Sequence, residues 1–300
     1  MPKWLWRLTL QASLTAALAT MLSGAFDFHR QWHKVAGVSG PDHGSSAFRL
    51  ISFNIRVDTA SDGDNSWAHR KESVAAVLRF HHADIACLQE AYSGMIHDLA
   101  QRLPDYEYYG VGTTDGKDGG AHNPVFFRAA RFRLVSSQTF WLSPSPSVPS
   151  RGWDAAYERA ATQVELLDLY TGKIVHVFNT HLDHEGAQAR EEGARLIGRR
   201  IQPVKGEVIV AGDFNSMREE APWRLLTGNS LQDVQHASQT GHFGLQSTFN
   251  DFKQCWDEHG AIDFILVSPG TRVLQEGVPC TLFDGKHASD HFPVVADLSN

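Results

Sequence analysis

Hard carboxylate oxygens hold a divalent cation, amide donors hold an anionic oxygen, and imidazole moves a proton near neutral pH. This sequence carries all three kinds of group in short clusters: Asn54, Glu90, Asp213 with Asn215, Asp263, Asp290 with His291, and His181 in Asn179-Thr180-His181. Each taken singly has a plain structural reading. Asn54 suits a turn, and Glu90 suits the start of a following helix. Asp213, Asn215 and Asp263 suit turns, and the two histidines suit satisfied structural positions. Taken together they are the set that metal-assisted phosphoryl hydrolysis uses.

The clusters share a position at the ends of short apolar runs, which read as buried strands. Leu50 to Phe53 ends in Asn54, and Ile85 to Leu88 ends in Gln89-Glu90. Val177-Phe178, closing a strand from Ile174, leads into Asn179-Thr180-His181, and Val208 to Val210 leads into Gly212-Asp213-Phe214-Asn215. Ala261-Ile262-Asp263 opens the strand Phe264–Val267, and Ser289-Asp290-His291 precedes a last strand over Phe292–Ala296. Loops at strand ends set side chains over a rigid sheet, where α/β proteins commonly bind ligands. Further strands are expected at Tyr106–Tyr109 and Val125–Phe127. Helical spacing appears in Val74, Val77 and Leu78, in Met95, Ile96, Leu99 and Leu103, and over Ala187–Ile201, where Glu191 and Arg195 stand one turn apart. Strands mixed with helices in this way predict α/β layers around central sheets.

The chain of 300 residues is 42% hydrophobic and 20% charged, enough apolar material for a sizeable core. Its net charge of −7 lacks the basic footprint of a tight, non-specific nucleic-acid binder, and no long amphipathic or apolar insertion marks a lipid-specific protein. Lys3 and Arg7 precede a weakly apolar stretch from Leu8 to Phe26, with small residues at Ser23-Gly24-Ala25. Residues 1–25 therefore read as a secretory signal peptide, with an uncleaved membrane anchor as the alternative, and the protein as secreted or periplasmic. Residues 26–47 read as a linker and 48–300 as one domain. Cys87 reads as a buried hydrophobe, and Cys255 and Cys280 are a candidate disulfide.

Seven motifs in order carry a resemblance to the endonuclease/exonuclease/phosphatase superfamily, the group of deoxyribonuclease I and exonuclease III. They are Ser52-Phe53-Asn54-Ile55-Arg56, Leu88-Gln89-Glu90, Asn123-Pro124-Val125-Phe126-Phe127-Arg128, Asn179-Thr180-His181-Leu182-Asp183-His184, Gly212-Asp213-Phe214-Asn215, Ile262-Asp263-Phe264-Ile265 and Ser289-Asp290-His291-Phe292-Pro293-Val294. Phe140-Trp141-Leu142-Ser143 and Arg151-Gly152-Trp153-Asp154 look like a subgroup within it. The resemblance implies a four-layered α/β sandwich, with two packed β-sheets flanked by helices. It also implies an Mg²⁺- or Mn²⁺-dependent phosphoester hydrolase in which water attacks phosphorus directly.

By the same resemblance Glu90 is the main metal ligand, with Asn54 and Asp290 beside it. Asp213 orients or deprotonates the water, Asp263 fixes the tautomer of His291, and Asn179, Asn215, His181 and His291 contact the phosphate. His181 and His291 are also the candidate acid and base. Arg159, Trp141, Trp153, Trp223 and Phe249 are candidate cleft residues, and 115–120 is read as a mobile loop at the cleft edge. The substrate classes implied are nucleic acid, a phospholipid headgroup, and a sugar or inositol phosphate, handled by a monomer with no obligate protein partner.

One departure stands out. Relatives place a Glu just before the Asn123-Pro124 strand to orient the histidine matching His181, whereas here the residues are Gly120-Ala121-His122. Asp118 and Asp183 are candidate substitutes. The gap keeps open a second reading, a non-catalytic phospho-ligand binding module of the same fold.

Overall fold

The computed structural model describes residues 46–228, 231–253 and 260–299. The leader, nearly all of the linker and Cys255 lie outside the described residues. Along the chain run β1 (Ala47–Asn54), α1 (Trp67–Phe80), β2 (Ile85–Gln89), α2 (Ser93–Arg102), β3 (Tyr106–Tyr109), β4 (Val125–Arg128), β5 (Phe132–Trp141), β6 (Ala160–Asp168), β7 (Ile174–His181), α3 (Ala187–Ile201), β8 (Glu207–Asp213), α4 (Ala221–Gly228), β9 (Gln232–Asp233), α5 (Val234–Ala237), β10 (His242–Gly244), β11 (Asp263–Val267), β12 (Arg272–Val278), β13 (Leu282–Phe283), β14 (Lys286–His287) and β15 (Val294–Ser299). Seven strands form one sheet in the order β10-β12-β15-β1-β2-β4-β3, and six form a second in the order β5-β6-β7-β8-β11-β9. No described helix is long and apolar enough to cross a membrane.

Strand side chains alternate between faces, so each buried strand feeds two cores. Phe48 and Leu50 of β1, Ile85 and Cys87 of β2, Val175 and Val177 of β7, Ile209 and Ala211 of β8, and Ile265 and Val267 of β11 share the core between the sheets. The opposite parity faces helices. Ile51, Phe53, Ala86 and Leu88 pack with Val74, Leu78, Ile96 and Leu99 of α1 and α2, while Phe178, Val208 and Val210 pack with Ala194 and Ile197 of α3 and Leu226 of α4. The result is the expected four-layered α/β sandwich, and it explains why the strands read as continuous apolar runs: both faces are covered.

Extending the inward parity by one or two residues carries each strand from apolar to polar. Asn54, Gln89, Asn179, His181, Asp213 and Asp263 fall in step with the inter-sheet core. β1 runs parallel to β2, pairing Asn54 with Gln89, while β7 runs parallel to β8 and β11 antiparallel to it, so that Asp213 pairs with both His181 and Asp263. The polar residues therefore collect at one end of the sandwich. Side-chain bonds join the sheets there, among them Gln89 Nε2 donating to Asn179 Oδ1 at 2.7 Å and Asn54 Nδ2 donating to Asp213 Oδ2 at 3.0 Å.

Some elements differ from expectation. The last strand starts at Val294 rather than Phe292. β5 and β6 have no counterpart in the sequence reading, although they form one side of the second sheet. Cys87 is buried and free, and Cys280 is disulfide-bonded. Gly212 is required by close approach: its φ is +150°, and a Cβ there would lie 1.9 Å from the Thr180 carbonyl oxygen of the neighbouring strand.

Candidate functional site

A cavity of about 560 Å³ opens at the polar end of the inter-sheet core, and Glu90, His181, Asp213, Asn215, Asp290 and His291 all reach its wall. Four non-glycine residues that line it hold left-handed backbone angles: Arg56 (φ 56°), Glu90 (φ 63°), Asn215 (φ 47°) and Asp251 (φ 51°). Such conformations cost about 1–3 kcal/mol each for non-glycine residues and persist only where surrounding contacts impose them. Here those contacts are visible. Asn54 Oδ1 accepts from the Arg56 amide at 3.0 Å, and Asp213 Oδ1 accepts from the Asn215 amide at 2.8 Å.

One wall is acidic. Glu90 Oε1 accepts from Asn54 Nδ2 at 3.0 Å and Oε2 from the Val57 amide at 2.8 Å, which fixes the carboxylate. Asp290 lies 3.5 Å from the Arg56 guanidinium, whose other face is held by both oxygens of Asp62 at 3.0 Å. Burial raises the Asp290 carboxyl above its ordinary range, and the negative charge of Glu90 adds to the rise. Converging hard oxygens whose mutual repulsion a cation would offset are what a divalent metal needs, so Glu90 and Asp290 fit one. Asn54 lies beneath this wall, fully buried, with its amide nitrogen toward the carboxylates. Asp213, Asp263 and His291 also bring one ligand atom each within 4.8 Å of one another. That trio is better read as an Asp263–His291 hydrogen-bonded pair with Asp213 nearby, because His291 Nδ1 and Asp263 Oδ2, 2.8 Å apart, already engage each other.

The two histidines are set to opposite states. His291 is buried, which disfavours its charge, but the Asp263 charge and hydrogen bond, with Asp213 and Asp290 behind them, raise its pKa well above the usual imidazole value. Its Nε2 stands 3.8 Å from Asp213 Oδ2. Burial lowers His181 well below the usual value, and the positive charge of Arg159 adds to the fall. His181 Nε2 sits 2.9 Å from Asn215 Nδ2, whose amide is oriented by donating to the Leu182 carbonyl at 3.0 Å. The amide nitrogen therefore faces the ring, and Nε2 is the acceptor. Between the histidines, burial and the charge of Asp263 push the Asp213 carboxyl up to about 7.

The structure corrects several expectations. Asn179 does not reach the cavity: it is fully buried, accepts from Gln89, and donates to the Leu88 and Pro124 carbonyls at 2.8 and 2.9 Å. Its amide is a brace between the sheets with no donor left for phosphate. Neither Asp118 nor Asp183 replaces the missing acid at Ala121. Asp118 is exposed, and Asp183 takes the amides of Ala156, Tyr157, Glu185 and Gly186 and the Arg159 guanidinium. His181 is held by Asn215 instead, with the Asp213 carboxylate 3.4 Å from the same Nε2. Of the candidate aromatics Phe249 lines the cavity, whereas Trp141 and Trp223 are buried with their indole nitrogens on Thr113 O and Asp233 Oδ2. Arg159 does reach the cavity. The loop 115–120 borders it, and Asp115 Oδ1 ties that loop down by accepting from the Lys117 and Gly119 amides.

Sequence reasoning missed Arg70. It is buried in α1, and its guanidinium donates to the carbonyls of Ile55, Arg56, Asn65 and Ala288, clasping the loop after β1 to the loop that carries Asp290 and His291. The signal was present: Arg70 stands in the buried helical stripe Trp67, Arg70, Val74, Val77. Thr248 was missed too. Its hydroxyl accepts from the Ile262 and Asp263 amides at 3.0 and 3.1 Å, fixing the start of β11.

Comparison with known proteins gives a consistent picture. A family model described as the endonuclease/exonuclease/phosphatase family matches residues 51–291. The crystal structure of an endonuclease/exonuclease/phosphatase from Bacteroides vulgatus is 36% identical, with a TM-score of 0.81 over 85% of this chain and 99% of that one. A mannosyl-6-phosphatase from Bacteroides thetaiotaomicron is 32% identical, with a TM-score of 0.80 over 84% and 100%. The CCR4-Not complex 3'-5'-exoribonuclease subunit Ccr4 of Neosartorya fischeri is 26% identical over 171 residues, 48% of this chain and 23% of its own length. The chain spans 23% to 37% of the length of the first curated relatives it matches.

Proposed function

This chain belongs to the endonuclease/exonuclease/phosphatase family, and on that premise we propose that it hydrolyses a phosphoester by direct attack of water on phosphorus, assisted by Mg²⁺ or Mn²⁺. The observation that carries the proposal is the convergence of Glu90, Asp290, Asp213, Asn215, His181 and His291 on one cavity. Glu90 and Asp290 would hold the cation. When bound it supplies positive charge to the phosphate oxygens and offsets the charge that develops there.

The chain's own groups divide the remaining work. His291, kept protonated by Asp263, presents Nε2–H as a charged donor to a phosphate oxygen. Asp213, with its carboxyl near 7, takes a proton from the attacking water at neutral pH. Asn215 donates to the Leu182 carbonyl and to the neutral ring of His181, and so holds that ring in place at the cavity wall. The relatives span a mannosyl-6-phosphatase and an exoribonuclease subunit, so nucleic acid and sugar phosphate are the substrate classes they support for this chain.

The test is turnover of bis(p-nitrophenyl) phosphate and p-nitrophenyl phosphate with Mg²⁺, with Mn²⁺ and with EDTA, for the wild type and Glu90→Gln. Cation-dependent release that drops by about 100-fold or more in the variant, with the fold intact by circular dichroism, is expected. No release under any condition, with phosphate analogues still bound, would instead favour a binding module.

A further inference from the structure

Outside its phosphate-handling floor, the cavity has a wall whose charge and shape select among substrates. Its guanidiniums are Arg56 and Arg159, and no lysine lines it among the described residues. Both guanidiniums already have carboxylate partners: Arg56 with Asp62 and Asp290, and Arg159 with Asp183 at 3.1 Å. Against them stand five acids around the cavity: Glu90, Asp213 and Asp290 at the floor, and Glu158 and Asp251 on the wall beyond it. A polynucleotide brings a phosphate at every residue and needs a basic track to neutralise them. This wall offers none.

What the wall offers instead is a fixed aromatic rim. Tyr157 is 59% exposed, and its ring stacks on His184 with centroids 5.7 Å apart and planes 18° apart. Arg159 lies 5.9 Å from the Tyr157 ring and hydrogen-bonds His184 Nδ1 at 3.0 Å. The segment is pinned from both sides. Asp183 holds the Ala156 and Tyr157 amides, and Asp154 accepts from the Gln188 and Ala189 amides at the start of α3. A large exposed aromatic on a rigid rim loses little entropy when a flat apolar surface docks on it. Tyr92, also 41% exposed, with Thr113 and Thr114, adds hydroxyls to the same cavity, and Glu158 adds an acceptor.

We propose that this wall is a leaving-group subsite for a neutral, hydroxyl-rich ring, so that the substrate is a singly phosphorylated sugar, its ring seated on Tyr157, rather than a nucleic acid strand. The proposal rests on the phosphoester-hydrolase reading above. A pyranose meets the wall's chemistry: its axial C–H face covers the tyrosine, its hydroxyls pair with Thr114 and Glu158, and it adds no second phosphate.

The experiment has a binding arm and a turnover arm, both on the full chain. Calorimetric titration in EDTA compares mannose 6-phosphate, glycerol phosphate and an oligothymidylate. Turnover of the same three compounds is then measured with Mg²⁺ or Mn²⁺. The hexose phosphate is expected to bind and turn over best, with kcat/KM about 100-fold or more above the oligonucleotide's. Tyr157→Ala should lower the hexose-to-glycerol ratio of kcat/KM about tenfold, mainly through KM, and weaken hexose phosphate binding in EDTA by about the same factor, while Tyr157→Phe retains both. Preference for the oligonucleotide, or a Tyr157→Ala effect equal on ring and acyclic substrates, overturns the subsite. Absence of turnover on every phosphoester, the p-nitrophenyl compounds included, overturns the hydrolase reading itself and this inference with it.

Discussion

Asp263 reaches the reaction only through His291, and that indirect position makes its removal informative. The 2.8 Å bond holds a proton on a ring that burial alone would leave neutral. In Asp263→Asn the charge is gone and burial prevails, so the imidazole pKa falls. If the protonated ring is the active form, activity is lost as pH rises through that pKa. The alkaline limb of the pH–rate profile should therefore move to lower pH, with kcat/KM near pH 7 reduced about 100-fold. An unmoved limb would remove His291 from the role of charged donor. Ala121 makes the complementary case. With Asn215 as its hydrogen-bond partner, and with burial and the Arg159 charge outweighing the Asp213 carboxylate 3.4 Å from its Nε2, His181 stays neutral. Ala121→Glu should raise the His181 pKa and shift the acidic-to-neutral limb upward. An unchanged profile would mean that Asn215 already does all the orienting this ring needs. Asp183 acts on stability as well as on the rim. Burial works to raise its pKa, but the Gly186 and Ala156 amides and the Arg159 guanidinium more than offset this and hold it at about 2. A depressed folded-state pKa stabilises the fold above the unfolded value near 3.8 and loses that contribution as pH falls toward 2. Asp183→Asn should thus cost roughly 1–2 kcal/mol at pH 7, with allowance for solvent screening, and much less near pH 2. Urea unfolding at the two pH values measures the difference.

At the scale of elements, strand parity does most of the positioning. Asn54, Gln89, His181, Asp213 and Asp263 were legible because each closes or opens an apolar run, and a period of two then settles which way it points. Gly212 keeps β7 and β8 close enough for His181 and Asp213 to pair. Gly212→Ala would place a methyl 1.9 Å from Thr180 O, so soluble yield should collapse, or melting temperature fall by many degrees, before activity can be assayed. Arg70→Met removes four carbonyl bonds while keeping an apolar stem in the helix. It should cost about 3 kcal/mol and lower kcat by separating the Asp290 loop from the loop after β1. A stable variant with full kcat would show that the clasp is dispensable. β5 and β6 stayed hidden for a physical reason. β5 lies at the edge of its sheet, so polar residues such as Arg133, Ser136 and Ser137 interrupt any apolar run. Asn179 misled for the opposite reason. A motif next to a functional histidine marks it, but only the structure shows its amide spent on Gln89, Leu88 and Pro124.

For the whole molecule, the two sheets form a frame whose inner core is apolar along its length and polar at one end, and the proposed chemistry sits where the frame ends. Export is a separate prediction at this scale. The leader over residues 1–25 predicts a mature protein starting near Phe26 or later, and the disulfide at Cys280 suits an oxidising compartment. Mass spectrometry of material recovered outside the cytoplasm should show that new N-terminus, and an intact Met1 end would favour an anchor. The central claim, water attacking phosphorus, is tested most directly by hydrolysis in H₂¹⁸O of whichever phosphomonoester the protein turns over. The account predicts one ¹⁸O in every inorganic phosphate released and none in the alcohol, and ¹⁸O in the alcohol would contradict it.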